Sequence, residues 1–145
     1  MKLSTKSRYG LRLMLELALT GKDQLLQIKD ISKKQDISEK YLEQIVSLLK
    51  KAKLVKATRG ARGGYNLSKD ASEISLREII EALEGDLTLV DCVDHPDACE
   101  RQLFCPTTEV WKIVAGKLRE TLDAMSLANL LDIYNEKSSK DNYVI

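Results

Sequence analysis

The sequence predicts a mainly α-helical chain with one small β-hairpin, and three observations predict it. Apolar residues recur every three or four positions over several separate stretches, the spacing that lines one face of a helix. Only around Arg59-Gly60-Ala61-Arg62-Gly63-Gly64 are two short strand-like runs joined through glycines, the sign of a hairpin turn. At 145 residues the chain suffices for one core of ordinary size with an appended helix, and hardly for two independent domains.

Ser4 or Thr5 can cap a first helix in which Leu11, Met14, Leu15, Ala18 and Leu19 form the apolar face, and Gly21 stops it. A second short helix runs from about Ile28 to Lys34 and ends at the polar break Gln35-Asp36. Ser38 then offers a cap for a third helix reaching Ala52, with Leu42, Ile45, Leu48 and Leu49 on one stripe. That helix carries Glu39 in its first turn and Lys50 and Lys51 at its end, a charge order that complements the helix dipole. Leu54 to Thr58 and Tyr65 to Ser68 flank the glycine turn as the two strands. A short amphipathic helix follows from Ser75 to about Leu83, closed by Gly85.

Residues 86–108 break the pattern. They hold all three cysteines, the only histidine, both prolines and a cluster of aspartates, with little periodicity, and so read as a loop. A longer helix over about Thr107 to Met125 then places Val110, Val114, Leu118, Leu122 and Met125 on one side, and Ser126 can cap a short successor. The expected organisation is therefore a unit over 1–85, the cysteine loop over 86–108, a long helix and a short one over 109–135, and a flexible polar tail over 136–145.

Composition narrows the function. Apolar and charged residues make up 43% and 31% of the chain, as in soluble globular proteins, and no apolar run approaches the roughly 18 residues that span a bilayer. The first residues, Met1 to Lys6, lack the apolar stretch of a secretory signal, so the expected compartment is the cytoplasm, where three thiols do not form a disulfide framework. An enzyme needs a nucleophile, a base and a pocket, and the single histidine has no visible orienting partner; none is expected. The net charge of +1 hides an asymmetry, because Lys2, Lys6, Arg8, Arg12, Lys50, Lys51, Lys53, Lys56, Arg59 and Arg62 crowd the first half while acids gather behind.

Two helices joined by a short turn, the second followed by a basic hairpin, form a winged helix-turn-helix. The helix from Ser38 to Ala52 suits a major groove, with its N-terminal residues toward base edges. Arg59 and Arg62 sit where a wing tip would reach the neighbouring minor groove, whose narrow form favours a guanidinium. Gln44 can pair with adenine. Glu43 can only accept, for example from cytosine, and repels phosphate, so it discriminates among sequences. Ser38, Lys40, Tyr41 and Ser47 are placed to reach phosphates or bases. The plainer alternative, a helical hairpin with a solvated basic face, does not account for turn, basic helix end and Gly/Arg hairpin occurring in this order. A nucleotide-binding loop at Arg59 to Gly64 lacks the Gly-Lys-Ser/Thr ending it would need.

Leu3-Ser4-Thr5-Lys6-Ser7-Arg8-Tyr9-Gly10, Tyr41-Leu42-Glu43-Gln44-Ile45 and Val55 through Tyr65 resemble the IscR-type winged helix-turn-helix transcription regulators, the family that includes IscR, NsrR, RirA and CymR. The likeness spans residues 1 to about 135. It implies a homodimer with the long helix as dimer seam, a palindromic operator in double-stranded DNA, and base-reading roles for Glu43, Gln44 and Arg59. Repression of iron–sulfur cluster assembly genes is the implied output. Sulfur metabolism under a partner protein's control, or sensing of nitric oxide or iron, are the alternatives.

Cys92, Cys99 and Cys105 are spaced Cys-x6-Cys-x5-Cys in a hydrophilic, acidic segment, which makes metal or cluster ligation as plausible as three unconnected thiols. The resemblance adds that IscR, NsrR and RirA use three cysteines here to hold an iron–sulfur cluster, whereas CymR has none, and it favours [2Fe-2S] over [4Fe-4S]. In IscR a histidine three residues after the last cysteine completes the set; here that position is Thr108, which leaves the fourth ligand among His95, Glu109, the loop aspartates and a partner-chain residue. Zinc held by Cys92, His95, Cys99 and Cys105 is a further reading, against which stands the missing Cys-x2-Cys knuckle.

Overall fold

The computed structural model describes residues 2–141 and contains helices α1 (Thr5–Thr20), α2 (Ile28–Gln35), α3 (Glu39–Lys51), α4 (Leu76–Glu84), α5 (Asp91–Asp94), α6 (Pro106–Ala124) and α7 (Leu127–Asp141), with strands β1 (Val55–Thr58) and β2 (Gly64–Leu67) between α3 and α4. The fold is mainly α with one antiparallel hairpin, in which Val55 faces Leu67 and Thr58 faces Gly64. Among the described residues no helix is long and apolar enough to cross a membrane.

The core lies where α1, α3 and α4 meet. Leu13, Met14 and Leu17 of α1, Leu42, Ile45 and Leu49 of α3, and Ile79 and Leu83 of α4 are buried there, joined by Ile31 of α2 and Leu127 of α7. Each helix contributes residues three, four or seven apart, the spacing that sets side chains on one face. Gly10 permits the α1–α4 contact: a Cβ there would stand 2.1 Å from Leu83 Cδ1.

The helix boundaries have local causes. The Ser38 hydroxyl accepts from the Tyr41 amide at 3.3 Å, and Ser75 and Glu78 form a reciprocal capping box at the start of α4. Gly21 follows α1 and Gly85 follows α4, both with positive φ. Ser4 stands at the N-cap of α1, but neither it nor Thr5 caps through its side chain. Instead the Ser4 amide (2.8 Å), the Ser4 hydroxyl and the Ser7 hydroxyl (2.6 Å) all donate to Glu84 Oε1 at the end of α4. A carboxylate with three donors offers more than a local cap can.

Polar ties align α1 with the helix-turn-helix. Glu16, buried on α1, accepts from Lys34 Nζ at 2.9 Å and from Gln35 Nε2 at 2.6 Å, and Arg12 donates to the side chain and the carbonyl of Gln35. Glu16 raises the Lys34 pKa by hydrogen bonding and by charge. Two backbone bridges complete the frame. Leu26 and Tyr65 exchange amide and carbonyl at 2.9 Å in both directions, which fastens β2 to the segment before α2. Leu76 N donates to Met125 O and Leu127 N to Ile74 O, each at 2.8 Å, which fastens the α6–α7 junction to the entrance of α4.

The structure departs from the sequence reading in three places. The segment 86–108 is not a plain loop: it contains α5, tight turns at Pro96–Ala98 and Gln102–Phe104, and the first turn of α6, which begins at Pro106 because proline's fixed φ suits the first helical position. The last helix is not short and does not stop near Glu136; α7 continues to Asp141, and 142–145, the end of the expected flexible tail, lie outside the described residues. The apolar stripe of α6 also divides. Leu122 and Met125 pack on the core and Leu118 is half-buried, whereas Val110 and Val114 are exposed.

The Glu84 arrangement makes a pH prediction. Hydrogen bonds from Ser4 and then Ser7 hold this carboxyl below its ordinary value of 4.5. A depressed carboxylate pKa stabilises the fold above the unfolded value, and the contribution disappears as pH falls through the folded one. Ser7→Ala is therefore expected to reduce stability fully at pH 7, with the difference from wild type shrinking below about pH 4.5, in urea titrations across that range. A difference independent of pH would remove Glu84 from this role.

Candidate nucleic-acid interface and cysteine segment

The outer face of α3 is the complement of its core face. Because Leu42, Ile45, Val46 and Leu49 point inward, Lys40, Glu43, Gln44 and Ser47 are left exposed. Lys6 of α1 joins Lys40, Glu43, Gln44 and Ser47 around one shallow hollow of about 560 Å³. Sequence reasoning missed Lys6 as part of this group because only the packing of α1 against α3 brings it there. Ser38 is exposed at the start of α3, where its hydroxyl also caps the helix. Tyr41 is half-buried: its ring meets that of Tyr9 edge-on, with centroids 5.9 Å apart, and Arg12 stacks over Tyr9 at 5.3 Å. Its ring supports the pose of α3, which leaves the phenol edge for any outside contact.

The hairpin leaves Arg59 and Arg62 exposed, as the sequence suggests. Gly60 takes φ +115°, and a Cβ at Gly63 would lie 2.1 Å from the Thr58 carbonyl oxygen, so the tip closes only with glycine there. Between the hairpin and the helices lies a groove of about 630 Å³ lined by Gln27, Lys29, Glu39, Lys50, Thr58 and Arg59, among others. Lys29 and Lys50 therefore flank the wing. Of the basic residues scattered in the first half of the sequence, Lys29, Lys50 and Arg59 thus meet around this groove and Lys6 and Lys40 around the hollow on α3, an arrangement suited to the phosphates beside a major groove.

The cysteine segment is arranged differently. Cys92 is half-buried on α5, Cys99 is exposed, and Cys105 is half-buried at the N-cap of α6; all three are free thiols. Among the described residues, no three histidine, cysteine, aspartate or glutamate side chains converge closely enough to hold a metal ion. The Thr107 hydroxyl lies 3.0 Å from Cys105 Sγ and leads the side-chain and backbone contacts of Thr107 and Thr108 that lower the thiol pKa to about 7.

Each position considered for a fourth ligand has its own surroundings. His95 is exposed and lines a polar hollow with Asp94, Arg119, Arg77 and Glu81, which no cysteine lines. Asp94 is held below the usual carboxylate range by its hydrogen bond to Arg119, at 2.7 Å, and Arg119 also reaches the Leu87 carbonyl; this ties the segment to α6. Glu109 pairs with Lys112 at 2.8 Å. Thr108 is 1% exposed, and its hydroxyl has no hydrogen-bond partner among the described residues.

Comparison with known proteins agrees with this architecture. Residues 3–133 match the family profile described as Rrf2, iron-dependent transcriptional regulator. The chain is 39% identical over 131 residues to protein rrf2 of Nitratidesulfovibrio vulgaris, covering 90% of this chain and 87% of that one. Among solved structures it is similar to CymR, the global cysteine regulator of B. subtilis, with a TM-score of 0.78 at 37% identity, covering 92% of this chain and 98% of CymR. It is likewise similar to IscR of T. potens, with a TM-score of 0.76 at 36% identity, covering 94% and 90%.

The geometry of the hairpin tip carries a prediction of its own. Gly63→Ala is expected to push the tip open, because the clash is with backbone and no side-chain rotation relieves it. Amide exchange should show lost protection at Gly64 and Tyr65 while the amides of α3 keep theirs; unchanged hairpin protection would contradict the contact.

Proposed function

The chain belongs to the Rrf2 family of transcriptional regulators, and from that membership we propose that it is a cytoplasmic, iron–sulfur-cluster-sensing repressor of cluster assembly genes. As a homodimer it binds a palindromic operator in duplex DNA. The observation that carries the DNA part is that α3 lines two basic depressions, one with Lys6 beside Lys40, Glu43 and Gln44 and one with Lys29 and Lys50 beside Arg59 of the wing. Glu43 and Gln44 address base edges in the major groove. Ser38, Lys40 and Tyr41 position the helix against the backbone, and Arg59 and Arg62 enter the minor groove.

The donor set of the cysteine segment supports the sensing part. Three free thiols in one stretch, one of them with its pKa at about 7, are the chemistry an iron–sulfur cluster takes from a protein. We assign Cys92, Cys99 and Cys105 as its ligands and [2Fe-2S] as its type, with the fourth position open to His95, Glu109, a loop aspartate or the partner chain. When bound, the cluster supplies a redox-active centre. The chain's own residues do the rest. Asp94 and Arg119 fasten the segment to α6, and the bridges at Ile74–Leu127 and Leu76–Met125 fasten the end of α6 to the winged unit. Closure of the segment around a ligand therefore has a mechanical route to α3 through α4. The shift it produces equals the ligand's preference for one shape over the other.

Absorption spectra with iron and sulfide analysis of protein purified without oxygen test the sensing reading. A coloured, sulfide-containing wild type and a colourless Cys92→Ala variant are expected, with the iron-to-sulfide ratio reporting the cluster type. Colourless, iron-free wild type that still binds DNA would overturn it in favour of zinc or of control by a partner protein. For the interface, Arg59→Ala is expected to weaken operator binding by about 1–3 kcal/mol and flatten its salt dependence by about one charge, while Glu43→Ala relaxes the choice among sequences. Unchanged affinities in a fluorescence-anisotropy titration of either variant would remove that residue from the interface.

A further inference from the structure

The turn between α2 and α3 sets the angle at which α3 is presented. Asp36 in that turn adopts φ +53° and ψ +50°, a left-handed conformation that is costly for a residue with a Cβ and relies on its neighbours to hold it. Arg12 reaches both sides of the turn from α1. On the α2 side, its Nε donates to Gln35 Oε1 and its Nη2 to the Gln35 carbonyl oxygen, each at 2.6 Å. That carbonyl belongs to the last residue of α2, where a helix leaves acceptors unpaired and favours a cation. Gln35 Nε2 donates to Glu16, which turns the amide oxygen toward Arg12.

On the α3 side, the guanidinium lies 5.3 Å over the ring of Tyr9, three residues back on α1, and Tyr9 meets Tyr41 edge-on at 5.9 Å. Tyr41 stands in the first turn of α3, three residues before Gln44. Arginine suits this place because its planar fork serves two acceptors while its face rests on a ring; an ammonium is a point charge with no face. Although exposed, Arg12 lines neither the hollow of Glu43 and Gln44 nor the groove beside the wing. Its donors are turned to the protein.

We propose that Arg12 is a positioning residue for sequence reading. By clasping the end of α2 and, through Tyr9, the first turn of α3, it sets how Glu43 and Gln44 are presented, and so governs the choice among DNA sequences without adding to the general attraction for phosphate. Hydrogen bonds to base edges are short and directional, so a shift of α3 by about 1 Å weakens them, whereas long lysine side chains adjust to phosphates. The inference rests on the DNA reading proposed above and assigns specificity to a residue that touches no DNA.

Fluorescence-anisotropy titrations over a salt series, on the full chain purified without oxygen, test it with Arg12→Met, Arg12→Lys, Tyr9→Leu and the Arg12→Met/Tyr9→Leu double variant. The probes are the duplex that wild type enriches most from a randomised pool and a scrambled duplex of the same composition. Arg12→Met is expected to lower the ratio of the two affinities about tenfold. Affinity for the scrambled duplex and its salt slope stay unchanged, and the double variant loses no more than the worse single one. Arg12→Lys keeps the charge yet stays deficient, and as the milder change it carries the same test should the methionine variant lose helix content. A slope for the scrambled duplex smaller by about one charge, or full recovery in Arg12→Lys, would place Arg12 on phosphate and overturn the positioning role. Additive losses or an unchanged ratio overturn it equally. Wild type that enriches no duplex overturns the DNA reading itself, and the role of Arg12 with it.

Discussion

The contact of α1 with α4 at Gly10 is the constraint on which the rest of the architecture depends. With no Cβ at this position, Leu83 enters the space between α1 and α3, and the three helices share one core. Glu84, one residue further on, accepts from Ser4 and Ser7 and so fixes where α1 begins. A bulkier residue at Gly10 would press on a buried leucine in a core whose packing leaves little room to relax. The placement of α3, and through it the exposure of Glu43 and Gln44, follows from that packing.

Electrostatics in this protein is a matter of arrangement. A net charge of +1 offers little general attraction to nucleic acid, yet Lys6 and Lys40 meet around one hollow and Lys29, Lys50 and Arg59 around one groove, drawn from different elements. The acids of the second half line neither of these depressions. Several are used internally: Asp94 on Arg119, and Glu81 and Asp123 on Arg77. Two acids of α3 share these surfaces, Glu43 in the hollow and Glu39 in the groove, and under the proposed DNA binding the cost of Glu43 beside phosphates makes it a selector among sequences.

Helix α6 serves two purposes along its length. Its C-terminal half is held to the winged unit by Leu122 and Met125 and by the backbone bridges at its end, while its N-terminal half, with Val110, Trp111 and Val114, stands clear. The cysteine segment lies at the free half, where tight turns and the Asp94–Arg119 pair give it form without drawing its thiols together. A segment with few buried apolar contacts is one whose local stability is low enough for a ligand to reorganise.

Local signals in the sequence determined most of the fold. Apolar spacing placed α1 to α4 and α6, Ser38 and Ser75 marked helix starts, Gly21 and Gly85 marked ends, and the Arg/Gly run marked the wing, because each depends on residues within one or two turns of one another. The exposed residues of α3 were legible for the same reason: they are the complement of its core stripe. Only the tertiary structure decided which distant groups meet. Ser4 with Glu84, Lys6 with Glu43, Leu26 with Tyr65, and the division of the α6 stripe between inward and outward halves all join residues remote in sequence or depend on what packs opposite. Periodicity states that a face is apolar, whereas the path of the whole chain determines what covers it.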